Sequence, residues 1–308
     1  MAQPALDVFK ALDSALAAAV AAAGPSTVHI ARGHSGGTGI AWSADLVVTS
    51  SFHVPDRTKV GIATGDGNLD ERDAEVIGRD PGTDVAVLRV AGGGLTPATL
   101  RELDGLAVGN LALAIGRPGR TARASLRAIG VLGPEVETAH GGKLDRYVES
   151  DRQIPRGFAG GPLIDADGAV IGMNTRTLVR GADIAVPVTT LRRVVDELVQ
   201  HGGMRRGDLG VGAYPAALPA ALAQAVASPA RTPDTDRAAL VASRDDGGPA
   251  ASAGLQVGDI IVELDGVAVT GPDTLRHALG GRPGKTVRIT LLRGGTKLEL
   301  DVAIGTRP

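Results

Sequence analysis

The sequence predicts a mainly β chain of two domains, an all-β barrel or sandwich followed by a small α+β module. Three observations carry this reading. Short apolar or alternating runs rich in β-forming residues recur along the first two-thirds of the chain, each bounded by turn residues. Glycine and proline are abundant, 44 and 18 of 308 residues, which multiplies turns at the expense of long helices. The length exceeds one core of average size but suits a core of about 170 to 180 residues with a module of about 100.

Residues 1–24 predict an N-terminal amphipathic helix, because Leu6, Phe9, Leu12, Leu16 and Val20 recur at helical spacing and form a stripe able to pack on a core. The apolar run from Ala15 to Ala23, ahead of Gly24 and Pro25, also fits a short secretory core with its cleavage site. Its lead is acidic rather than basic (Asp7, then Lys10, then Asp13), which favours the packing helix. Strands follow at Thr27 to Ala31, Thr38 to Trp42, Leu46 to Thr49, Lys59 to Ala63, Ala74 to Ile77 and Val85 to Val90. A second series reads Leu111 to Ile115, Ser125 to Leu132, Tyr147 to Ser150, Pro162 to Ile164, Val170 to Thr175 and Asp183 to Val186. About a dozen short strands without intervening helices indicate a barrel or sandwich.

A helix from Thr189 to His201 closes this region, with Leu191, Val194, Val195, Leu198 and Val199 on one face and Gly202 and Gly203 as its stop. The domain boundary therefore falls near Met204, giving a first domain over 25–203 and a second over 204–308. Tyr214 to Asp236 is rich in alanine and proline and predicts a short helix and a mobile loop. Beyond it, strands at Leu240 to Ser243, Ile260 to Leu264, Val287 to Leu292 and Leu298 to Ile304, with a helix at Pro272 to Leu279, make up the small α+β module.

Composition removes several function classes. A formal net charge of −2 without a Lys/Arg block offers no footprint for a nucleic-acid backbone or an anionic membrane. With no cysteine there is neither disulfide nor thiol chemistry. His29, His34, His140, His201 and His277 are scattered, so no metal site is expected. The stretches GGTG and GRPGK lack the strand and Lys-Ser/Thr of a phosphate cradle, so no nucleotide and no other cofactor is expected. No run reaches the ~20 apolar residues that span a bilayer. A cytoplasmic location follows, or a periplasmic or exported one if the N-terminal stretch is a signal.

Three short motifs carry chemistry. Acyl transfer by a Ser-His-Asp triad needs a hydroxyl nucleophile, an imidazole that takes its proton, a carboxylate that fixes the imidazole tautomer and N–H groups aimed at the developing oxyanion. His53 follows a strand ending LVVTS, Asp84 sits in DPGTDVAVL just before a strand, and RGFAGGPLIDADGAVIGMNT has the glycine pattern of a nucleophile loop leading into two strands. Taken singly, each has an ordinary reading: a surface histidine, an aspartate in a turn, a glycine-rich turn. Together they stand in the order His, Asp, nucleophile.

At these residues the chain resembles the HtrA/Deg family of trypsin-type serine proteases, whose nucleophile loop reads GNSGGPL or a close variant. The resemblance spans nearly the whole chain and implies a trypsin-like double β-barrel. It makes His53 the general base and Asp84 its orienting carboxylate, gives the oxyanion hole to the N–H groups of Gly157 and Ala159, and puts Ala159 at the nucleophile position. By the same resemblance Ile154 lines the primary pocket as an aliphatic wall, and Ile184, Ala185 and Val186 form the strand edge along which an extended substrate pairs; the plainer reading is that all four are core residues.

Two departures bear on activity. Alanine has no group that attacks a carbonyl, and loss of such a serine costs on the order of 10⁶ in turnover. The family places the histidine three residues after the threonine of the preceding strand, whereas Thr49 and His53 are four apart, with Phe52 as the extra residue. A competent site requires His53 Nδ1 within about 3 Å of the Asp84 carboxylate. Ser35, Ser125 and Ser150 stand in no comparable loop and offer no substitute nucleophile.

The second domain resembles a PDZ domain in RRGDLGVGA, in PAASAGLQVGDIIVELDGVAV and in GKTVRITLLRGG. The resemblance makes Asp208, Leu209, Gly210 and Val211 the loop that presents N–H groups to a peptide's terminal carboxylate, with Leu275 and Leu279 lining the groove; Arg206 is placed to add charge, though the plainer reading of Arg205 and Arg206 is a pair of solvated linker residues. For Leu275 or Leu279 alone, core packing is the plainer reading. The expected activity is an endopeptidase for unfolded or extended protein segments, silent in this chain, with C-terminal peptides as partners of the PDZ domain and a homo-trimer as the assembly common in the family. The alternative is a natural pseudoprotease acting as a peptide-binding adaptor or holdase.

Overall fold

The computed structural model describes residues 3–32, 36–179, 181–280 and 282–307. His34, Ser35 and the side chains of Leu6 and Arg206 lie outside the described set. The chain divides into two compact units between Met204 and Arg205.

Helix α1 (Gln3–Ala23) opens the first unit. Ala19 and Ala23 are buried and Leu16 and Val20 half-buried against the core, whereas Phe9 is 70 % exposed. Among the described side chains of the stripe read from the sequence, Phe9 and Leu12 are exposed while Leu16 and Val20 pack. Small side chains there admit a close approach: a Cβ on Gly168 would lie 2.8 Å from the Ala19 carbonyl oxygen. Among the described residues no helix is long and apolar enough to cross a membrane.

The first barrel comprises β1 (Thr27–Ile30), β2 (Gly37–Ala41), β3 (Leu46–Ser50), β4 (Arg57–Ala63), β5 (Leu69–Asp80) and β6 (Val85–Val90). It closes in the order β1-β2-β3-β6-β5-β4 around Val28, Ile30, Val47, Val60 and Leu88. All its pairings are antiparallel, so the residues that alternate inward fill the lumen and no long edge is left open.

Next come β7 (Leu111–Gly116), β8 (Arg123–Gly133), the hairpin β9 (Val136–Glu137) with β10 (Lys143–Leu144), then β11 (Tyr147–Ser150), β12 (Pro162–Ile164), β13 (Val170–Val179) and β14 (Ala182–Pro187). The second barrel closes in the order β11-β14-β13-β12-β7-β8, with Ile129, Val148, Leu163 and Ile171 inside. Helix α2 (Val188–His201) buries Leu191, Val194, Val195 and Leu198 in a cluster that also takes side chains from α1 and both barrels. It stops at Gly202, in the left-handed region at φ 72°, whose N–H closes on the Leu198 carbonyl.

The second unit is built on a sheet ordered β16-β17-β18-β20-β21, made of β16 (Val211–Ala217), β17 (Arg237–Arg244), β18 (Ile260–Leu264), β20 (Thr286–Arg293) and β21 (Thr296–Ala303). The short β19 (Val267–Ala268) pairs with β18, and β15 (Arg206–Asp208) with β22 (Gly305–Arg307). Helices α3 (Ala220–Ala225), α4 (Pro249–Ser252) and α5 (Pro272–Gly280) complete it.

Candidate active site

The site is assembled where the ends of β3 and β6 meet the second barrel. Ser50 closes β3 opposite Val85, the first residue of β6, so the residue before Val85 faces the residues after Ser50. That residue is Asp84. The preceding turn is held by the Asp80 carboxylate, which accepts from the N–H of Gly82 and Thr83 and from the Thr83 hydroxyl. Asp84 leaves the turn in the left-handed region at φ 57°, a conformation that aspartate tolerates better than most side chains, and is fully buried.

A buried carboxylate needs donors, and Asp84 has a full set. It accepts from the Ser50 hydroxyl at 2.7 and 2.9 Å, the Ser51 hydroxyl at 3.3 Å, the Phe52 N–H at 3.2 Å and the Thr175 hydroxyl at 2.6 Å. His53 ends a single 3₁₀ turn, Ser51–His53, and its Nδ1 lies 3.1 Å from the Ser50 Oγ. No hydrogen bond or ion pair joins His53 directly to Asp84 among the described residues. The structure therefore departs from the expected contact of about 3 Å between Nδ1 and the carboxylate, because the extra residue Phe52 lets Ser50 come between them. Phe52 is turned outward, with its ring 5.0 Å from that of His140.

Half-burial of the imidazole holds the His53 pKa below its ordinary 6.5. Arg32 adds to the depression, Asp84 opposes it, and Arg176 lowers it slightly further. The neutral base is thus favoured near neutral pH. Beside it opens a cavity of about 690 Å³ whose walls include Arg32, Phe52, His53, Pro55, Arg57 and Lys59.

The loop from Gly157 to Gly161, where the resemblance puts the nucleophile position, is pinned to both barrels by glycines. Gly157, at φ 85°, has no room for a Cβ, which would lie 2.6 Å from Pro118 Cβ, and its carbonyl accepts from the Thr38 hydroxyl at 2.5 Å. Gly160, at φ 83°, lies so close to the end of β3 that a Cβ would stand 2.5 Å from the Thr38 carbonyl oxygen and 2.8 Å from the Ser50 nitrogen. This approach brings the half-buried Ala159 to the strand that carries Ser50 and leads into His53. Phe158 between them is buried in the second barrel with Ile154, Leu163 and Ala185.

Ile154 is 3 % exposed and belongs to that core cluster. Its N–H donates to Asp183 at 2.6 Å. Ile184, Ala185 and Val186 are buried, and Ile184 pairs with Thr175 on one side and Glu149 on the other. This corrects the expectation of a free strand edge at Ile184: β14 is an interior strand of a closed barrel and has no open side there. The regular ladder between β13 and β14 breaks after Thr175, so the irregular backbone nearest Asp84 is at Arg176 and Thr177.

Sequence reasoning missed Ser50 and Thr175. Ser50 was foreshadowed by the four-residue spacing from Thr49 to His53; nothing local marks Thr175, whose partner is 91 residues away.

In the second unit Leu209 is buried, Gly210 takes φ 68°, and the loop 208–211 is tied down by bonds from Ala250 N–H to the Leu209 carbonyl and from Asp245 N–H to the Gly210 carbonyl. The Asp208 carboxylate accepts from the Gly210 N–H at 3.2 Å. Strand β16 ends the sheet and leads straight out of this loop. Leu275 and Leu279, 3 % and 5 % exposed, are members of the unit's core, so the structure gives them packing rather than an open groove wall.

Comparison with known proteins assigns both units to known domain types. A trypsin-like peptidase domain model matches residues 37–173 and a PDZ domain model matches residues 207–304. The probable periplasmic serine endoprotease DegP-like of Pseudomonas fulva is 33 % identical over 279 residues, 88 % of this chain and 56 % of that protein. Its namesake in Brucella suis is 31 % identical over 284 residues, 88 % of this chain and 53 % of that protein. The chain thus spans a little over half the length of these relatives. Among solved structures, a serine-to-alanine form of the HtrA-type protease AlgW with a decapeptide superposes with a TM-score of 0.70 at 27 % identity, covering 95 % of this chain and 98 % of that one. AlgW with a decapeptide gives 0.67 at 26 % identity, covering 95 % and 99 %.

Proposed function

Because this chain belongs to the HtrA/Deg family of trypsin-type serine proteases with a C-terminal PDZ domain, we propose that it is the scaffold of a serine endopeptidase for unfolded or extended polypeptides, held silent by Ala159. In the serine-bearing form His53 Nε2 takes the proton of the nucleophile hydroxyl as it attacks the carbonyl, and returns it to the leaving amine. The N–H groups of Gly157 and Ala159 receive the oxyanion. An alanine methyl leaves every binding interaction in place and removes the attacking atom, a loss on the order of 10⁶ in turnover.

One observation carries the reading. Asp84 is fully buried, strained at φ 57°, and supplied with donors from both barrels, while His53 stands one hydroxyl away. Strain and a buried charge of this kind cost stability and are kept where a site needs them. Two peptide sites follow: the cleft beside His53, and the loop 208–211, from which β16 offers its outer edge for strand addition. The names of the relatives favour export to the periplasm over the cytoplasmic location read from the N-terminal charges, which cell fractionation would decide. A homo-trimer belongs to the same reading and is measured by light scattering.

A second reading has its own support. Ser50 between His53 and Asp84 is a departure at a second catalytic position, as expected of a natural pseudoprotease that keeps both clefts for binding. Cleavage of casein by the Ala159→Ser variant, beside the unaltered chain and a His53→Ala, Ala159→Ser double variant, separates the two. Cleavage that depends on His53 supports the protease; a well-folded but silent Ala159→Ser chain supports the adaptor.

A further inference from the structure

Ser50 is buried, and its Oγ lies within hydrogen-bonding distance of both Asp84 oxygens and of His53 Nδ1. A hydroxyl has one proton and two lone pairs, and an ionised carboxylate can only accept. The Ser50 proton is therefore committed to Asp84. What Ser50 offers His53 is a lone pair, so Nδ1 must carry the hydrogen of the neutral imidazole, and Nε2 is left as the free base.

The position follows from the chain's own register. With Phe52 inserted, the 3₁₀ turn spends the Ser51 hydroxyl and the Phe52 N–H on the same carboxylate. Thr175 takes another approach from the second barrel. The imidazole is kept at one remove.

We infer that Ser50 is a positioning residue for His53, a hydroxyl bridge that transmits the orienting role of Asp84 across the extra residue Phe52. The inference rests on His53 being the general base of the proposed endopeptidase. No proton passes through Ser50: when Nε2 gains a proton, Nδ1–H still points at Oγ and the Ser50 proton still points at Asp84. The negative charge of Asp84 acts through one hydroxyl, opposed by Arg32 after β1 and by Arg176 on β13, the latter 3.5 Å from Asp183.

The alternative is that Ser50 merely saturates a buried carboxylate. Imidazole ¹⁵N NMR of the full chain separates the two, with Ser50→Ala and Ser50→Thr beside it. Ser50→Ala leaves Asp84 with donors from Ser51, Phe52 and Thr175, so the fold is expected to survive, as near-UV circular dichroism would report. In the unaltered chain neutral His53 should be protonated at Nδ1. Ser50→Ala should release the tautomer toward Nε2–H and lower the His53 pKa, and Ser50→Thr should restore both. A neutral Nε2–H tautomer in the unaltered chain overturns the inference even if the variants fail to fold. So does an unchanged tautomer and pKa in a folded Ser50→Ala chain. In the Ala159→Ser background Ser50→Ala should lower kcat about 100-fold with KM little changed, within the range for general-base catalysis, and Ser50→Thr should recover most of it. A silent Ala159→Ser chain defeats the protease reading alone, since the NMR result on Ser50 stands without turnover.

Discussion

The Thr175 hydroxyl in the second barrel donates a 2.6 Å hydrogen bond to the Asp84 carboxylate in the first. One bond thus couples the docking of the barrels to the position of the carboxylate proposed to orient His53. Thr175→Val keeps the shape and removes the donor, leaving a buried charge with one partner fewer, which should cost about 1–3 kcal/mol. Urea unfolding of the first unit measures it, and Thr175→Ser should recover most of the loss. An unchanged midpoint for Thr175→Val would mean that the bond adds nothing to barrel docking.

The depressed pKa of His53 sets the sign of two pH effects. As the proposed general base His53 works when neutral, so in the Ala159→Ser background the acid limb of kcat/KM should lie below the ordinary 6.5. Arg32→Ala removes a cation that disfavours the imidazolium and should move that limb to higher pH, and Arg176→Ala should do so by less. For stability, the unfolded chain takes up the proton at a higher pH than the folded one. The contribution of His53 is therefore fully present above the ordinary value and is lost as pH falls from about 6.5 through the lower folded value. A limb at or above 6.5 would contradict the burial of the imidazole.

Gly160 and Gly67 take almost the same conformation, φ 83° and 81°, in opposite surroundings. A Cβ at Gly67 meets nothing within 4 Å, whereas at Gly160 it would press on the backbone of residues 38 and 50. Gly67→Ala should cost only the left-handed strain, about 1–2 kcal/mol. Gly160→Ala adds a clash with two strands and should cost more than about 3 kcal/mol or displace the loop that carries Ala159. Thermal unfolding of the two variants gives the comparison; equal losses would show that the loop yields freely.

The barrels were legible because interior strands such as β3 and β6 are near-continuous runs of Val, Leu and Ala between turns. The sequence marks β5 only at Ala74 to Ile77, although the strand runs from Leu69 to Asp80. Its flanks carry Asp70, Glu71, Arg72 and Asp73, and charged residues exposed on a strand erase the alternation that marks one. Likewise β16 continues through Pro215 to Ala217 where the sequence suggested irregular chain. Proline is tolerated there because β16 ends the sheet and its missing N–H breaks no ladder bond on the open side. At the site, the order of His53 and Asp84 along the chain could not reveal that Ser50 would stand between them. That depends on register, which the turn Ser51–His53 sets in three dimensions.

The segment after α3 shows how one side chain orders a stretch whose composition suggests mobility. Arg231 is fully buried and its guanidinium donates to the carbonyls of Val262, Val269, Thr235 and Arg237 at 3.2, 3.1, 2.9 and 2.5 Å. Burial holds its pKa below the ordinary arginine value, with Glu263 and then Asp236 opposing, yet the group remains charged at neutral pH. Ser228 reinforces it, pairing its backbone with that of Arg231 and its hydroxyl with Glu263. Arg231→Met should therefore leave several carbonyls without a donor, at about 1–3 kcal/mol for each that water fails to reach. Arg231→Lys should not restore the unit, because an ammonium cannot span four acceptors as the planar fork does. Amide exchange in residues 228–240 reports the effect locally, and urea unfolding of the second unit reports it globally. Fast exchange in Arg231→Met with β20 and β21 still protected would place the guanidinium as the clamp of this loop; slow exchange throughout would show that the loop is held by its backbone bonds alone.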